Sequence, residues 1–471
     1  MTFDRQPGPG LLQANRGGGG FNFLAVFLFI LYSRVFDVLL SGYKIPSIVL
    51  ATTCLVALAG GQVLRSFQLR TTKLWVAFAL WLTLSSFFSI WRSGSILMLV
   101  NSWSRALVVY FLIVSLALNI NQCARAVRTI GWAVGVLCVM SLIVGTAESG
   151  RVFLGQGRFD NPNDLAQVLL IGAPFLWMIF ARSSSIWPRL LTLPILVILT
   201  VTFVRTGSRG GMVAVLAMLI FFLITSASKG KAVFTVAALF ILAAGTLAIS
   251  EPLRTRYLTL FDRDADEDLS AQSSRISVVA AASAISRREL LMESLRLTAG
   301  HPLLGVGPDM FSEARERRAR DEHRFAVHLQ THNTYTQVSS ECGIPAALLY
   351  IWIVVGAFRI ANRLYTQCKD RTEPNMQIAA AVARALCFSL LAYAFTALFI
   401  SVAYQELLPI LTGLTVALEC AVRMELSRRA TASARGIARG PGLGVPSPIL
   451  APAHITQPSP LRKHGFRQLD F

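Results

Sequence analysis

The chain has 471 residues, 54% of them hydrophobic and 15% charged, whereas a soluble domain carries about 25% charged residues. This balance excludes a soluble globular protein and makes the chain a membrane protein. The formal charge of +19 does not point to nucleic acid. The excess Lys and Arg sit in short connections and a C-terminal tail, where topology and anionic lipid account for them.

The predicted fold is all-α and polytopic. A polar lead over residues 1–20 ends in a glycine run. Apolar runs of about 20 residues, the length that crosses about 30 Å of hydrocarbon, then recur along the chain. They lie at 21–40, 45–63, 73–91, 97–119, 127–145, 165–181, 190–204, 211–225 and 232–250, and again at 344–361, 378–401 and 407–422. The expected count is about twelve, with the seventh and eighth runs short and close together. The first run is too long for a signal-peptide core and lacks a small-residue cleavage site, so it is expected to be a retained anchor.

Lys and Arg concentrate in the connections at 65–73, 125–128, 182–189, 229–231 and 359–371, and are sparse at 41–44, 93–95 and 404–406. The positive-inside rule then puts both termini in the cytoplasm and the segment 251–342 outside, as one large loop. Transmembrane helices occupy 21–250 and 343–422, and the Arg-, Pro-, Gly- and Ser-rich stretch 423–471 is expected to be a disordered cytoplasmic tail.

Within the large loop, the acidic run 262–268 lacks the Gly and terminal Glu of a calcium loop. Residues 285–299 place Leu290, Leu291, Leu295 and Leu297 among charged residues, as in an amphipathic helix on a membrane surface. His301-Pro302 stops it, 305–308 (Gly-Val-Gly-Pro) turns, and 309–324 reads as a second charged helix. Together these elements are expected to cap a cavity between the membrane helices.

The stretch 329–343, LQTHNTYTQVSSECG, carries the strongest chemical signal. His301, His323, His328 and His332 all fall in the large loop, with His454 and His464 in the tail. His332 reads either as an interfacial histidine satisfied by water or backbone, or as a base poised near neutral pH. The spacing of His323, His328 and His332 does not match a zinc site, and no metal is expected. Cys342 is the one cysteine near the external side, and no disulfide framework is implied.

A cationic cluster is the second signal. Arg205 and Arg209 in FVRTGSRGGM lie in an external connection, where the positive-inside rule disfavours them. Gly207, Gly210 and Gly211 permit close backbone approach, and Ser208 can donate a hydrogen bond. Guanidinium forks beside a helix start suit phosphate oxygens; the alternative is snorkelling to lipid phosphates. Arg287 and Arg288 form a further pair on the surface helix, with a solvated face as the alternative. The stretch 157–167, GRFDNPNDLAQ, reads as a turn followed by a helix cap from Asn163 or Asp164. Arg105 and Arg384, inside predicted spans, have no account from sequence. No nucleotide-binding motif is present, so an ATP-driven pump or sugar-nucleotide enzyme is not expected.

The TGSRGG segment, the stretch RRELLMESLRLTAGHPLLGVGPDMF and the stretch HNTYTQVSSECGIPAAL occur in that order, with one large late loop. In this they resemble the O-antigen ligase family of bacterial membrane glycosyltransferases, which includes O-antigen and exopolysaccharide polymerases. The resemblance covers 161–422, with the earlier spans matching by topology only. Each motif alone is weak, and their order and spacing are specific. The resemblance implies transfer of a glycan from undecaprenyl pyrophosphate, at the periplasmic face of the inner membrane, to a lipid A core sugar, a growing glycan or a protein hydroxyl. It further implies that His332 is the family's loop histidine, that Arg209 is its membrane-edge arginine, and that Arg287 is a further loop arginine, with Arg288 the adjacent alternative. Asn333 and Glu341 match polar positions of the motif, and Thr336 stands where an apolar residue is commoner.

A pyrophosphate leaving group needs charge neutralisation rather than a general acid, so no cofactor and no metal are expected, and the displacement is expected to invert. Ligase and polymerase are not separated by the sequence. A transporter of lipid-linked sugar would be expected to show broken helices and charges at mid-membrane, whereas here the charged candidates collect at one face. A non-catalytic scaffold leaves His332 and Arg209 without explanation.

Overall fold

The computed structural model describes residues 19–36, 45–60, 63–148, 151–154, 161–226, 287–323 and 329–438, with isolated positions between 228 and 244. Helix α1 is Gly19–Ser33 and α2 is Ile45–Ala59. They are followed by α3 (Arg70–Phe87) and α4 (Arg92–Leu116), the latter with a π-helical turn at Leu99–Trp103. Helix α5 (Ile120–Ile143) leads into an antiparallel hairpin of β1 (Thr146–Glu148) and β2 (Arg151–Phe153), with Ala147 opposite Val152. Then come α6 (Pro162–Arg182), α7 (Ile186–Arg205) and α8 (Arg209–Thr225). The later helices are α9 (287–300), α10 (Phe311–Asp321), α11 (Thr334–Cys368), α12 (Pro374–Thr396) and α13 (Leu407–Ala438).

Among the described residues, 7 helices are long and apolar enough to cross a membrane, namely α4 to α7 and α11 to α13, while α1, α2 and α8 are apolar but shorter. The chain is a multi-pass, largely helical membrane protein. The twelve spans expected from hydropathy are not all found, and the expected run at 232–250 lies mostly outside the described residues, as do the acidic run 262–268 and the lead 1–18. Helix α13 continues to Ala438, past the end expected at 422. Charged pairs one turn apart, Glu419 with Arg423 at 2.8 Å and Glu425 with Arg429 at 2.9 Å, support a helix there without an apolar face. By its contacts the chain divides after Met424 into one large compact unit and a second unit, Glu425–Phe471.

Helix α12 packs on α5, α6, α8 and α11 and forms the centre of the large unit. Small residues let the helices approach: a Cβ on Gly172 of α6 would stand 2.6 Å from Val134 of α5. Three buried polar pairs join helices, with Thr72 and Tyr110 at 2.8 Å, Trp75 Nε1 donating to Thr412 at 3.0 Å and Ser389 Oγ donating to the Ile171 carbonyl at 2.7 Å. These bonds satisfy groups that lipid could not. Trp187, Leu190, Leu191 and Leu193 on α7, and Leu216, Ile220 and Ile224 on α8, are exposed as a lipid-facing surface.

The two intramembrane arginines differ. Arg105 is exposed on α4. Arg384 on α12 donates to the Tyr365 hydroxyl at 3.2 Å and lies over the rings of Tyr365, Phe222 and Phe388 at 5.5, 5.9 and 6.0 Å. A guanidinium can rest in that aromatic cage inside an apolar bundle.

Candidate functional site

Helix α11 begins at Thr334, well before the apolar run expected from 344. Its cap is Asn333, whose Oδ1 accepts from the backbone N–H groups of Tyr335 at 3.0 Å and Thr336 at 3.1 Å. His332, just before the cap, has φ +51°, a left-handed conformation that costs energy for a side chain larger than glycine. Its neighbours hold it there. Thr331 and Ser401 share a hydrogen bond of 2.8 Å, the Thr334 N–H donates to the Ala397 carbonyl at 2.8 Å, and the Thr334 hydroxyl donates to the Ile400 carbonyl at 2.6 Å. The connection between α12 and α13 is therefore a floor on which the His-Asn pair is fixed.

The same connection receives the start of α8. Gly207 turns the chain with φ +59°, and Ser208 caps α8 by accepting from the Gly211 N–H at 3.2 Å. That bond gives the Ser208 oxygen a structural task as acceptor and leaves its O–H able to donate. A Cβ on Gly210 would come 2.5 Å from Phe399, so glycine lets α8 dock against the floor. Arg209, the first residue of α8, is half-buried, whereas Arg205 at the end of α7 is exposed.

A residue that sequence reading passed over holds this turn. Arg151 on β2 donates from Nε to the Thr206 carbonyl at 2.7 Å and from Nη2 to Asn163 Oδ1 at 3.0 Å. Asn163 is in turn bonded to Asn161, the cap of α6. Nothing in the local pattern around Arg151 signals this, because the bonds join three connections distant in sequence. Residues 155–160 of the GRFDNPNDLAQ region lie outside the described residues.

Helix α9 covers 287–300 of the described residues and ends within one residue of the end expected for the amphipathic helix. Leu290 and Ser294 on it are buried, and Arg287 shares their face one turn earlier, half-buried, while Arg288 is exposed. Leu297 packs with Ile90 against Val306, Met310 and Ala314. Thr298 is bonded to Ser339 of α11 at 2.9 Å, and Glu293 pairs with Arg318 of α10 at 3.1 Å. Helix α9 is thereby pinned beside the first turns of α11, and its leading end comes to the His332 end.

The electrostatics link three groups in a row, Arg209 to Arg287 and Arg287 to His332. Burial, and then the charge of Arg209, depress the basicity of the Arg287 guanidinium. Burial, and then the charge of Arg287, lower the His332 pKa below the ordinary histidine value. The lowered pKa favours the neutral imidazole, able to accept a proton, beside Arg287, whose repulsion with Arg209 an anion would relieve.

Glu341 is fully buried on α11. Its Oε2 accepts from the Asp309 N–H at 3.0 Å and the Tyr404 hydroxyl at 2.6 Å, and its Oε1 from the Phe311 N–H at 3.4 Å. Backbone bonds run alongside: the Gly307 N–H donates to the Glu341 carbonyl at 2.8 Å, Val306 to Ser340 at 3.0 Å, and Ile344 to Pro302 at 2.8 Å. Gly343, at φ +83°, breaks α11, and a Cβ there would overlap the Leu303 carbonyl. The carboxylate staples the 302–311 turn to α11. Of the other histidines, His301 and His323 are exposed and His328 lies outside the described residues. Among the described residues, no three His, Cys, Asp or Glu side chains gather as round a metal ion.

Residues 194–351 match the family model described as O-antigen ligase. The matched stretch runs from α7 into α11 and takes in the Arg209 turn, Arg287 and His332 to Glu341. Among curated proteins, none matches the chain. Over that stretch the chain is similar to the O-antigen ligase family, in keeping with the order of its motifs.

Proposed function

We propose, with the O-antigen ligase domain as premise, that the chain transfers a glycan from undecaprenyl pyrophosphate to an acceptor hydroxyl at the periplasmic face of the bacterial inner membrane. The acceptor is a lipid A core sugar or a similar glycan. The observation that carries this reading is the row of His332, Arg287 and Arg209, an imidazole of lowered pKa beside one guanidinium that is itself beside a second, all half-buried. Arg209 and Arg287 hold the diphosphate. They stabilise the charge that grows on it as the anomeric C–O bond breaks. His332 takes the proton of the acceptor hydroxyl as the new C–O bond forms on the opposite face of the sugar, so the displacement inverts. The two guanidiniums supply the positive charge that a divalent cation supplies in other phosphate chemistry, and the reaction needs no metal or other cofactor. Arg205 and Arg288, both exposed, draw the anionic carrier towards the site without closing on it.

The test is a reconstituted assay with a pyrophosphate-linked glycan and candidate acceptors, followed by identification of the product. His332→Ala abolishes transfer and leaves protein level and carrier binding in place; transfer that survives the substitution defeats the reading. Arg209→Lys also fails, because an ammonium does not reproduce the planar fork. A polymerase of the same family is the second reading, favoured by the same site, and is recognised by a ladder on lipid-linked glycan instead of a capped lipid A core. Transport of a lipid-linked sugar, the reading from another class, leaves the base beside two arginines without a task.

A further inference from the structure

We infer that the face of α4 around Arg105 is a docking surface for a transmembrane helix of another protein, one that carries a carboxylate at mid-span.

Helix α4 is long and apolar enough to cross a membrane. Arg105 stands about 20 Å from its first residue and about 17 Å from its last, at 1.5 Å per residue, so the middle of a hydrocarbon layer about 30 Å thick falls close to it. Snorkelling serves arginines near helix ends, and Arg105 is about three turns from the nearer end. A lone cation at that depth is costly, and such residues face protein or a water-filled cavity and pair there. Arg105 is exposed, and among the described residues no hydrogen bond or ion pair holds it.

Further features meet on the same face. Leu97, Val100, Asn101 and Ser104 are exposed together with Arg105, at the three- and four-residue spacing of one helical stripe. Ser104 Oγ donates back to the Val100 carbonyl at 2.5 Å, and its small side chain lets a second backbone approach. The turn Leu99–Trp103 is π-helical, a rare form that occurs frequently at functional sites. Trp103 of that turn is buried against Trp75 and Phe78 of α3, with ring centroids at 5.4 and 5.3 Å, which turns Asn101 and Arg105 to the opposite side.

Charge selects the occupant. A carboxylate at the same depth neutralises the guanidinium and accepts from both arms of its fork, while the Asn101 amide, one turn away, offers a donor and an acceptor to the same helix. An apolar helix would leave the cation covered and unpaired. A second copy of the chain is disfavoured, because a two-fold contact across this face brings Arg105 to its own equivalent. A lipid phosphate is about 15 Å away, half the hydrocarbon thickness. Within this chain, the apolar run 232–250, mostly outside the described residues, contains neither Asp nor Glu, and Glu419 inside α13 is taken by Arg363 and Arg423. The start of α4 is bonded to the turn that Glu341 holds, with Ser95 Oγ donating to the Pro308 carbonyl at 3.0 Å, so the docking face and the candidate site share a support.

The test places the photocrosslinker p-benzoylphenylalanine at Val100 of the full chain, in membranes of the cells that make it, with Leu190 on α7 as the control position. After irradiation, mass spectrometry identifies what is attached. The expected product at Val100, absent at Leu190, is a transmembrane segment of a second protein with an Asp or Glu near its middle. Arg105→Leu lowers the yield by about tenfold or more, whereas Arg105→Lys keeps a large part of it, since an ammonium still pairs with a carboxylate. Arg105 is exposed, so the leucine variant folds, and its melting curve checks this. Arg105→Glu loses the product, and changing the partner's carboxylate to Arg restores it. The inference is overturned if Val100 attaches to a second copy of the chain, to lipid alone or to a helix without a carboxylate. An Arg105→Leu yield equal to the wild type, or an exchanged pair that restores nothing, overturns it as well.

Discussion

Arg151 Nε donates to the Thr206 carbonyl at 2.7 Å, joining the β-hairpin to the turn from which Arg209 emerges. With the second bond to Asn163 at 3.0 Å, one guanidinium ties together the hairpin, the cap of α6 and the start of α8. Arg151→Ala should let the Arg209 turn relax. A charged-group hydrogen bond contributes about 1.5–3 kcal/mol, so kcat/KM for the donor should fall by roughly tenfold or more. The acid limb of the pH profile should stay where it is, since Arg151 is not the base. A shifted limb with an unchanged donor KM would assign Arg151 a direct part in proton transfer.

The pH dependence of transfer should carry the mark of Arg287. Burial and the Arg287 charge both disfavour the imidazolium, so the folded pKa of His332 lies below 6.5. Activity is then held through neutral pH and lost as the pH falls through that lowered value, when the base becomes protonated. Arg287→Gln removes a cation and lets the imidazole protonate more easily, which moves the acid limb upward. Profiles of kcat/KM for the two proteins decide it; a limb that stays or moves down contradicts the placement of Arg287 beside His332.

Glu341 separates anchoring from chemistry. Glu341→Ala removes the acceptor of the Asp309 and Phe311 N–H groups, at about 1–3 kcal/mol for each buried group left unpaired, and leaves the Tyr404 hydroxyl with only the Cys342 thiol. The melting temperature should drop sharply, and transfer with it. Glu341→Gln keeps an acceptor at that place and should preserve most of both. Should Glu341→Gln melt like the wild type and yet be inactive, the carboxylate takes part in the reaction.

Gly307 has φ +112°, and a Cβ on it would overlap the Ser89 hydroxyl, which is itself bonded to Ser95 at 2.8 Å. Gly307→Ala combines strain with a clash and should destabilise by more than about 1 kcal/mol. Combining it with Ser89→Gly relieves the clash and not the strain, so part of the stability should return. Full recovery would show that the backbone conformation carries no cost of its own.

Sequence alone showed which residues to watch and little of how they are held. The His332-Asn333 pair was visible because an ionisable ring stood in a polar stretch just before an apolar run, and the amphipathic helix because its leucines recur among charges. The start of α11 was not visible, since hydropathy registers only the apolar part after Gly343, while the helix begins at Thr334 on a cap. Nor does sequence show that Arg287 shares the face of Leu290 and Ser294 on α9 while Arg288 is exposed. Arg151 and the floor at 397–406 escaped notice for one reason: their bonds join segments far apart in sequence, and neither period nor composition marks them.

The break at Gly343 divides α11 into a polar first part buried in protein and an apolar second part. Residues 344–368 rise through about 37 Å at 1.5 Å each, enough to cross about 30 Å of hydrocarbon unaided. The turns from Thr334 to Cys342 are thereby released from any duty to span, and hydroxyls, an amide and a carboxylate are tolerated along them. A bilayer that thickens or thins is met by tilt of the lower part, while the upper part keeps its bonds to the 302–311 turn and to the floor. The histidine is thus mounted on the protein and insulated from the mechanics of the lipid.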